Sequence, residues 1–150
     1  MAAHDRIQCV VQLKKKKWSG QEDCFVCGGL ESSDHILFQC PIAVFLWSFL
    51  RDCFGLERSP ICCDSFFRQI ADRHRGIKQE VLMFVCAGAM WTLWKARNDV
   101  VFNKKTVATP AVLVYKTFSL VKTWIPLLKP KLKPLAEEMI QIATSSANNL

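Results

Sequence analysis

Four residues of the kinds that bind soft metal ions fall inside one seventeen-residue window: Cys24, Cys27, His35 and Cys40, spaced C-x2-C-x7-H-x4-C. Three thiolates and one imidazole are the donor set of a closed tetrahedral Zn²⁺ site. With all four positions filled by protein, no position is left for water, so such an ion shapes the chain rather than catalysing a reaction. Gly28 and Gly29 follow the first pair, where the chain must reverse and backbone N–H groups can point at the sulfurs. Residues five apart on an α-helix diverge by about 140°. A helix near His35 and Cys40 therefore starts after the histidine or breaks before the cysteine. Pro41 favours the break, because the residue before a proline leaves the helical region. The competing reading makes these cysteines small buried hydrophobes, in a local core of Leu30, Ile36, Leu37 and Phe38. Four ligand types in one window, with glycines behind the first pair, favour the metal.

Other chemistry is sparse. The thirteen acidic residues are scattered, no G-x-x-x-x-G-K loop occurs, and the histidines besides His35 are His4 and His74. Without a carboxylate cluster, an activated nucleophile or a phosphate loop, the expectation is that the chain is not an enzyme. Cys62 and Cys63 with His74 make a poor second metal site, since adjacent cysteines rarely reach one ion comfortably. Lys14, Lys15, Lys16 and Lys17, followed by Trp18, read either as a phosphate-contacting strip with an aromatic for base stacking or as a solvated loop. The same run is a weak nuclear-import signal. Arg97 and Asn98 either meet a phosphate or base, or hydrogen-bond within the fold. A net charge of +7 and a pI near 9.1 favour an anionic partner, with RNA or single-stranded DNA ahead of a membrane surface. Eight cysteines behind an N-terminus with no apolar leader, Met-Ala-Ala-His-Asp-Arg, read as reduced thiols in an intracellular protein of the nucleus or cytoplasm.

The elements that must position these residues are helical. At 51% hydrophobic and 22% charged, 150 residues suffice for a core. Ile7, Val10, Val11 and Leu13 suit a short amphipathic helix over 5–13. Pro41 opens a helix whose stripe is Ile42, Phe45, Leu46, Phe49, Leu50 and Cys53, with Gly55 as its stop. Trp47 lies off that stripe, on the side facing the metal loop. Cys63, Phe66, Phe67 and Ile70 form a second helix to about Arg73. A third, over 78–102, is apolar almost all round in its first half and so must be surrounded. Its Gly88, between Ala87 and Ala89, permits close approach of a neighbour. Its apolar run from Val81 to Trp94 falls short of the roughly 18–20 residues of a membrane span. Thr109 and Pro110 suit a cap and first turn. Beyond them Ala111, Val114, Phe118, Val121, Ile125 and Leu128 keep a helical seam that Pro126 should kink or end. Leu113, Leu120, Trp124 and Leu127 flank that seam. So wide a face, with a mean hydropathy of +0.13, suggests a homodimer or a protein partner. Residues 129–134 read as an extended basic proline-rich linker. Leu135, Met139 and Ile142 mark a short last helix, and residues 145–150 should fray.

Two separated motifs resemble the reverse-transcriptase zinc-binding domain of plant LINE-type retroelements. The first comprises Asp5-Arg6-Ile7, Cys24-x2-Cys27, Glu31-Ser-Ser-Asp-His35-Ile-Leu-Phe-Gln-Cys40 and Trp47. The second is Trp91-Thr-Leu-Trp94-Lys-Ala-Arg97-Asn98-Asp-Val-Val-Phe102. The resemblance covers about residues 5–103. It implies a zinc-binding unit over 1–103, with its knuckle at 24–40, and a helical extension over 104–150. In that family the unit ordinarily follows a polymerase, so here it reads as a free-standing fragment. The fold expected is all-α, a small zinc knuckle on a bundle of five to six helices. The function expected is a non-enzymatic module with one structural Zn²⁺ that binds nucleic acid through Lys14–Lys17, Trp18 and Arg97. The alternative is a domesticated fragment that works through protein contacts.

Overall fold

A computed structural model describes residues 9–17, 20 and 23–150. Six α-helices are found among them: α1 Val10–Lys15, α2 Pro41–Phe54, α3 Cys63–Arg73, α4 Gly76–Asn103, α5 Ala111–Trp124 and α6 Lys133–Ala147. A π-helical turn spans His35–Gln39. The fold is all-helical, and the Cys/His loop packs on the bundle through this turn, which lies against α2 and α4. Of the helix expected over 5–13, residues 10–13 lie in α1, which runs on to Lys15, whereas Cys9 is extended; residues 5–8 lie outside the described residues.

α2 ends as its sequence dictates. Gly55 adopts the left-handed conformation (φ 66°), and the N–H of Leu56 reaches back to the Arg51 carbonyl at 3.1 Å. Leu56 is buried, completing the helix stop with an apolar contact. Ile42, Leu46, Phe49 and Leu50 enter the core.

α4 is the spine, touching α2, α3, α5, α6 and the π-turn. Its contact with α5 is the most extensive and depends on Gly88, where a Cβ would collide with Val121 Cγ2. α4 is not enclosed on every side, however: Ala87, Trp91 and Lys95 face solvent.

The C-terminal third departs from expectation. Residues 129–134 are not an extended linker. Pro130–Leu132 form a 3₁₀ turn, Leu132 is buried, and Pro134 sits in the first turn of α6, where a missing N–H costs nothing. α5 stops at Trp124 and tightens into a 3₁₀ turn through Pro126, as a proline requires. Its start carries no side-chain cap from Thr109. α6 buries Ala136, Met139, Ile140, Ala143 and Ala147, whereas Ile142 is exposed. The chain does not fray from residue 145: α6 runs to Ala147, whose carbonyl accepts from the Tyr115 hydroxyl at 2.8 Å. α4 and α6 both pack on α5, and Leu113, Val114, Phe118 and Val121 are buried, so the broad apolar face of α5 is used inside the molecule.

Candidate metal centre

The knuckle is built by its backbone. The N–H of Cys24 donates to the Gly29 carbonyl (2.7 Å) and the N–H of Gly28 to the Cys24 carbonyl (2.8 Å), closing a tight loop. Gly28 takes φ 76°, which a side chain would strain. An isolated antiparallel bridge between Asp23 and Leu30 clasps the base of the loop. The Val26 N–H points at Cys24 Sγ from 3.4 Å.

The second pair of donors is brought together by the π-turn. Its i→i+5 winding joins the Cys40 N–H to the His35 carbonyl at 2.7 Å. Residues five apart, which an α-helix would splay, thereby face a common point. Ser32 caps the turn, its hydroxyl accepting from the His35 N–H at 3.0 Å. Cys40 leaves helical geometry (ψ 141°), as the residue before Pro41 must. The break expected before Cys40 is present, but the helix ahead of it is π rather than α.

Cys24, Cys27, His35 and Cys40 place their donor atoms within 4.8 Å of one another. Cys24 Sγ and Cys40 Sγ are 3.9 Å apart, and Cys27 Sγ and His35 Nε2 are 3.3 Å apart. Ligands about 2.3 Å (sulfur) and 2.0 Å (nitrogen) from a tetrahedral centre lie roughly 3.5–3.8 Å from each other. The donor set and spacing therefore fit one Zn²⁺. The hydrogen bond from Cys40 pulls the Cys24 thiol well below its ordinary range, helped by the Val26 and Cys27 backbone. The same contact, together with burial, raises Cys40. A bound dication favours thiolate at both sulfurs.

Around this centre lie contacts that hold it on the helical body. Trp47 is fully buried, stacks on Phe38 (5.5 Å between centroids) and donates its indole N–H to the Leu37 carbonyl at 2.6 Å. It packs on the metal loop, as its place off the α2 stripe implied. Asp34 accepts from the Cys63 N–H at 3.3 Å, tying the knuckle to the start of α3. Cys9, the residue before α1, is buried with its sulfur 3.9 Å from Ser33 Oγ.

Arg97 requires a correction. It is 4% exposed, and its Nε donates to both oxygens of Glu31, which is 0% exposed, at 3.1 and 3.2 Å. Its Nη1 donates to Asn98 at 3.0 Å, and its guanidinium lies 5.6 Å from the Phe102 ring. A buried guanidinium held by a carboxylate has no face for a phosphate, so Arg97 fixes the knuckle to α4 instead. In the sequence Glu31 shows only as an acid beside the knuckle, opposite in charge to an arginine sixty-six positions on. Lys14, Lys15, Lys16 and Lys17 are exposed at the end of α1 and just beyond it. Trp18 lies outside the described residues.

Residues 1–47 match a family described as zinc-binding in reverse transcriptase. The matched stretch is the first third of the chain and contains all four candidate ligands and Trp47. No curated protein and no solved structure matches the chain. No helix among the described residues is long and apolar enough to cross a membrane.

Proposed function

We propose that this chain is a non-enzymatic zinc module of retroelement origin that binds RNA or single-stranded DNA. Cys24, Cys27, His35 and Cys40 hold the ion, whose role is to fix the knuckle on the helical body. What carries the reading is the closed three-sulfur, one-nitrogen cluster, set in a stretch similar to a reverse-transcriptase zinc-binding family. A site closed by four protein donors offers no open coordination position for catalysis. The exposed Lys14–Lys17 run, which with Trp18 precedes the knuckle in sequence, supplies phosphate contacts and a plane for a base. The net charge of +7 supports an anionic partner.

The test is fluorescence anisotropy with short single-stranded RNA and DNA at 50 and 200 mM salt. Four phosphate contacts lower single-strand affinity roughly 50-fold over that range. Micromolar binding with such a slope is expected. An affinity that does not change with salt would remove nucleic acid from the account.

A second reading, contact with a protein partner, draws support from Phe25, Val26 and Leu30, apolar and exposed together on the knuckle. The seam of α5 lends it less, since Val114, Phe118 and Val121 are buried, while Leu127 stays exposed.

A further inference from the structure

α4 carries an open strip at one end. Trp91, Lys95, Asp99 and Phe102 stand at spacings that keep them near one line on the helix. Trp91 is 49% exposed and Phe102 60% exposed, although both are large aromatic rings in a chain with ample core. Trp91 is braced by Trp94, with ring centroids 5.1 Å apart. Between α4 and α5 the strip borders a groove of about 430 Å³ lined by Trp91, Lys95, Asp99, Lys116, Leu120 and Thr123, among others. Thr92 and Ala96, both small and buried, lie at its floor. Such a volume lies in the range that takes a planar ring with its substituents.

The groove is lined by two lysines and one carboxylate, Lys95, Lys116 and Asp99, a net positive balance. Asp99 accepts from Asn103 at 2.9 Å, and that hydrogen bond, with the positive charge of Lys95, Lys105 and Lys116, holds its carboxyl below the usual range. Three cations gather around one carboxylate, so the net field favours an anion. From Trp91 to Phe102 the helix rises roughly 16 Å, enough for a run of nucleotides rather than a single base. An exposed aromatic plane beside two lysines matches a single strand, whose bases stack in any sequence while phosphates find lysines. A duplex keeps its bases stacked inside and could use only the lysines.

We propose that the α4–α5 groove, with Trp91 as its stacking platform and Lys95 and Lys116 as phosphate contacts, is a second single-strand site, distinct from the Lys14–Lys17 run. The proposal rests on the nucleic-acid reading above and adds a place and a strand preference to it.

The experiment compares the whole chain with Trp91→Ala and with a Lys95→Glu/Lys116→Glu pair, using an oligothymidylate and a duplex of equal length at 50 mM salt. A Lys15→Glu/Lys16→Glu/Lys17→Glu variant serves as reference. Circular dichroism and zinc content confirm that each variant is folded. Support is a roughly 5- to 100-fold loss of single-strand affinity for Trp91→Ala, with a smaller change for duplex, and a further loss for the paired charge reversal. Trp91→Phe should restore most of the binding. Single-strand affinity that is unchanged in the groove variants but lost in the Lys15–Lys17 variant overturns the groove and leaves the nucleic-acid reading standing. No binding by the wild-type chain overturns both. A concentration-dependent dimer that Trp91→Ala disperses, with oligonucleotide affinity unchanged, makes a second copy the occupant and also overturns the proposal.

Discussion

Glu31 and Arg97, sixty-six positions apart, form an ion pair hidden from solvent, joining the end of the knuckle loop to the C-terminal third of α4. Their attraction does not by itself stabilise the fold, because taking both charges out of water costs about as much as the pairing returns. Removing one partner is different, since it strands the other charge in the interior. Glu31→Ala or Arg97→Ala should each lose about 3–5 kcal/mol in urea unfolding. The double variant Glu31→Leu/Arg97→Met should lie closer to wild type than either single change. Single changes worth less than about 0.5 kcal/mol, the range of ordinary surface substitutions, would show that the pair does not hold the knuckle.

Trp47 reports on the same junction. Trp47→Phe keeps an aromatic against Phe38 but leaves the Leu37 carbonyl without its indole donor. The expected loss is about 1–3 kcal/mol, with weaker zinc retention against a chelator because Leu37 belongs to the π-turn. Unchanged retention would separate Trp47 from the metal loop.

Gly88 sets the distance between α4 and α5. Gly88→Ala brings a methyl into Val121, which is stiff and buried. Overpacking of about 1–3 kcal/mol should exceed the gain in helix propensity of roughly 1 kcal/mol. Val121→Ala, harmful alone, should be less harmful on the Gly88→Ala background. Denaturant midpoints of the four proteins decide this; strict additivity would contradict the contact.

Cys86 gives a pH dependence. Full burial pushes its thiol up to about 12. The folded state therefore keeps its proton where the unfolded chain, near 8.5, releases it. The associated stability is complete below the unfolded value and declines as pH rises from there toward about 12. Cys86 should resist alkylation at pH 8 until the chain is unfolded. Labelling of the native protein at Cys86, read by mass spectrometry, would contradict this.

What could be read in the sequence was what depends on neighbours along the chain. Pro41 and Gly55 bound α2 because one lacks an N–H and the other tolerates positive φ. Gly88 between two alanines marked the close helix contact for a similarly local reason. The spacing of His35 and Cys40 exposed a conflict with α-helical geometry, but the π winding that resolves it depends on both side chains meeting Cys24 and Cys27. Arg97 was ambiguous because its partner lies in another element. Residues 129–134 resemble a linker in composition; only the burial of Leu132 and the docking of α6 make them a turn. The last turn of α6 is held by Tyr115, thirty-two residues away, which no terminal sequence pattern could reveal.

The most direct measurement is metal content and coordination in protein purified under reducing conditions. One zinc per chain is expected, with three sulfurs at about 2.3 Å and one nitrogen at about 2.0 Å in the X-ray absorption spectrum. Cys24→Ser or His35→Ala should lose it, and a chelator should unfold the N-terminal third, since metal-binding energy here is also folding energy. A chain that holds no stoichiometric metal, and whose unfolding is indifferent to the chelator, contradicts the account at its centre.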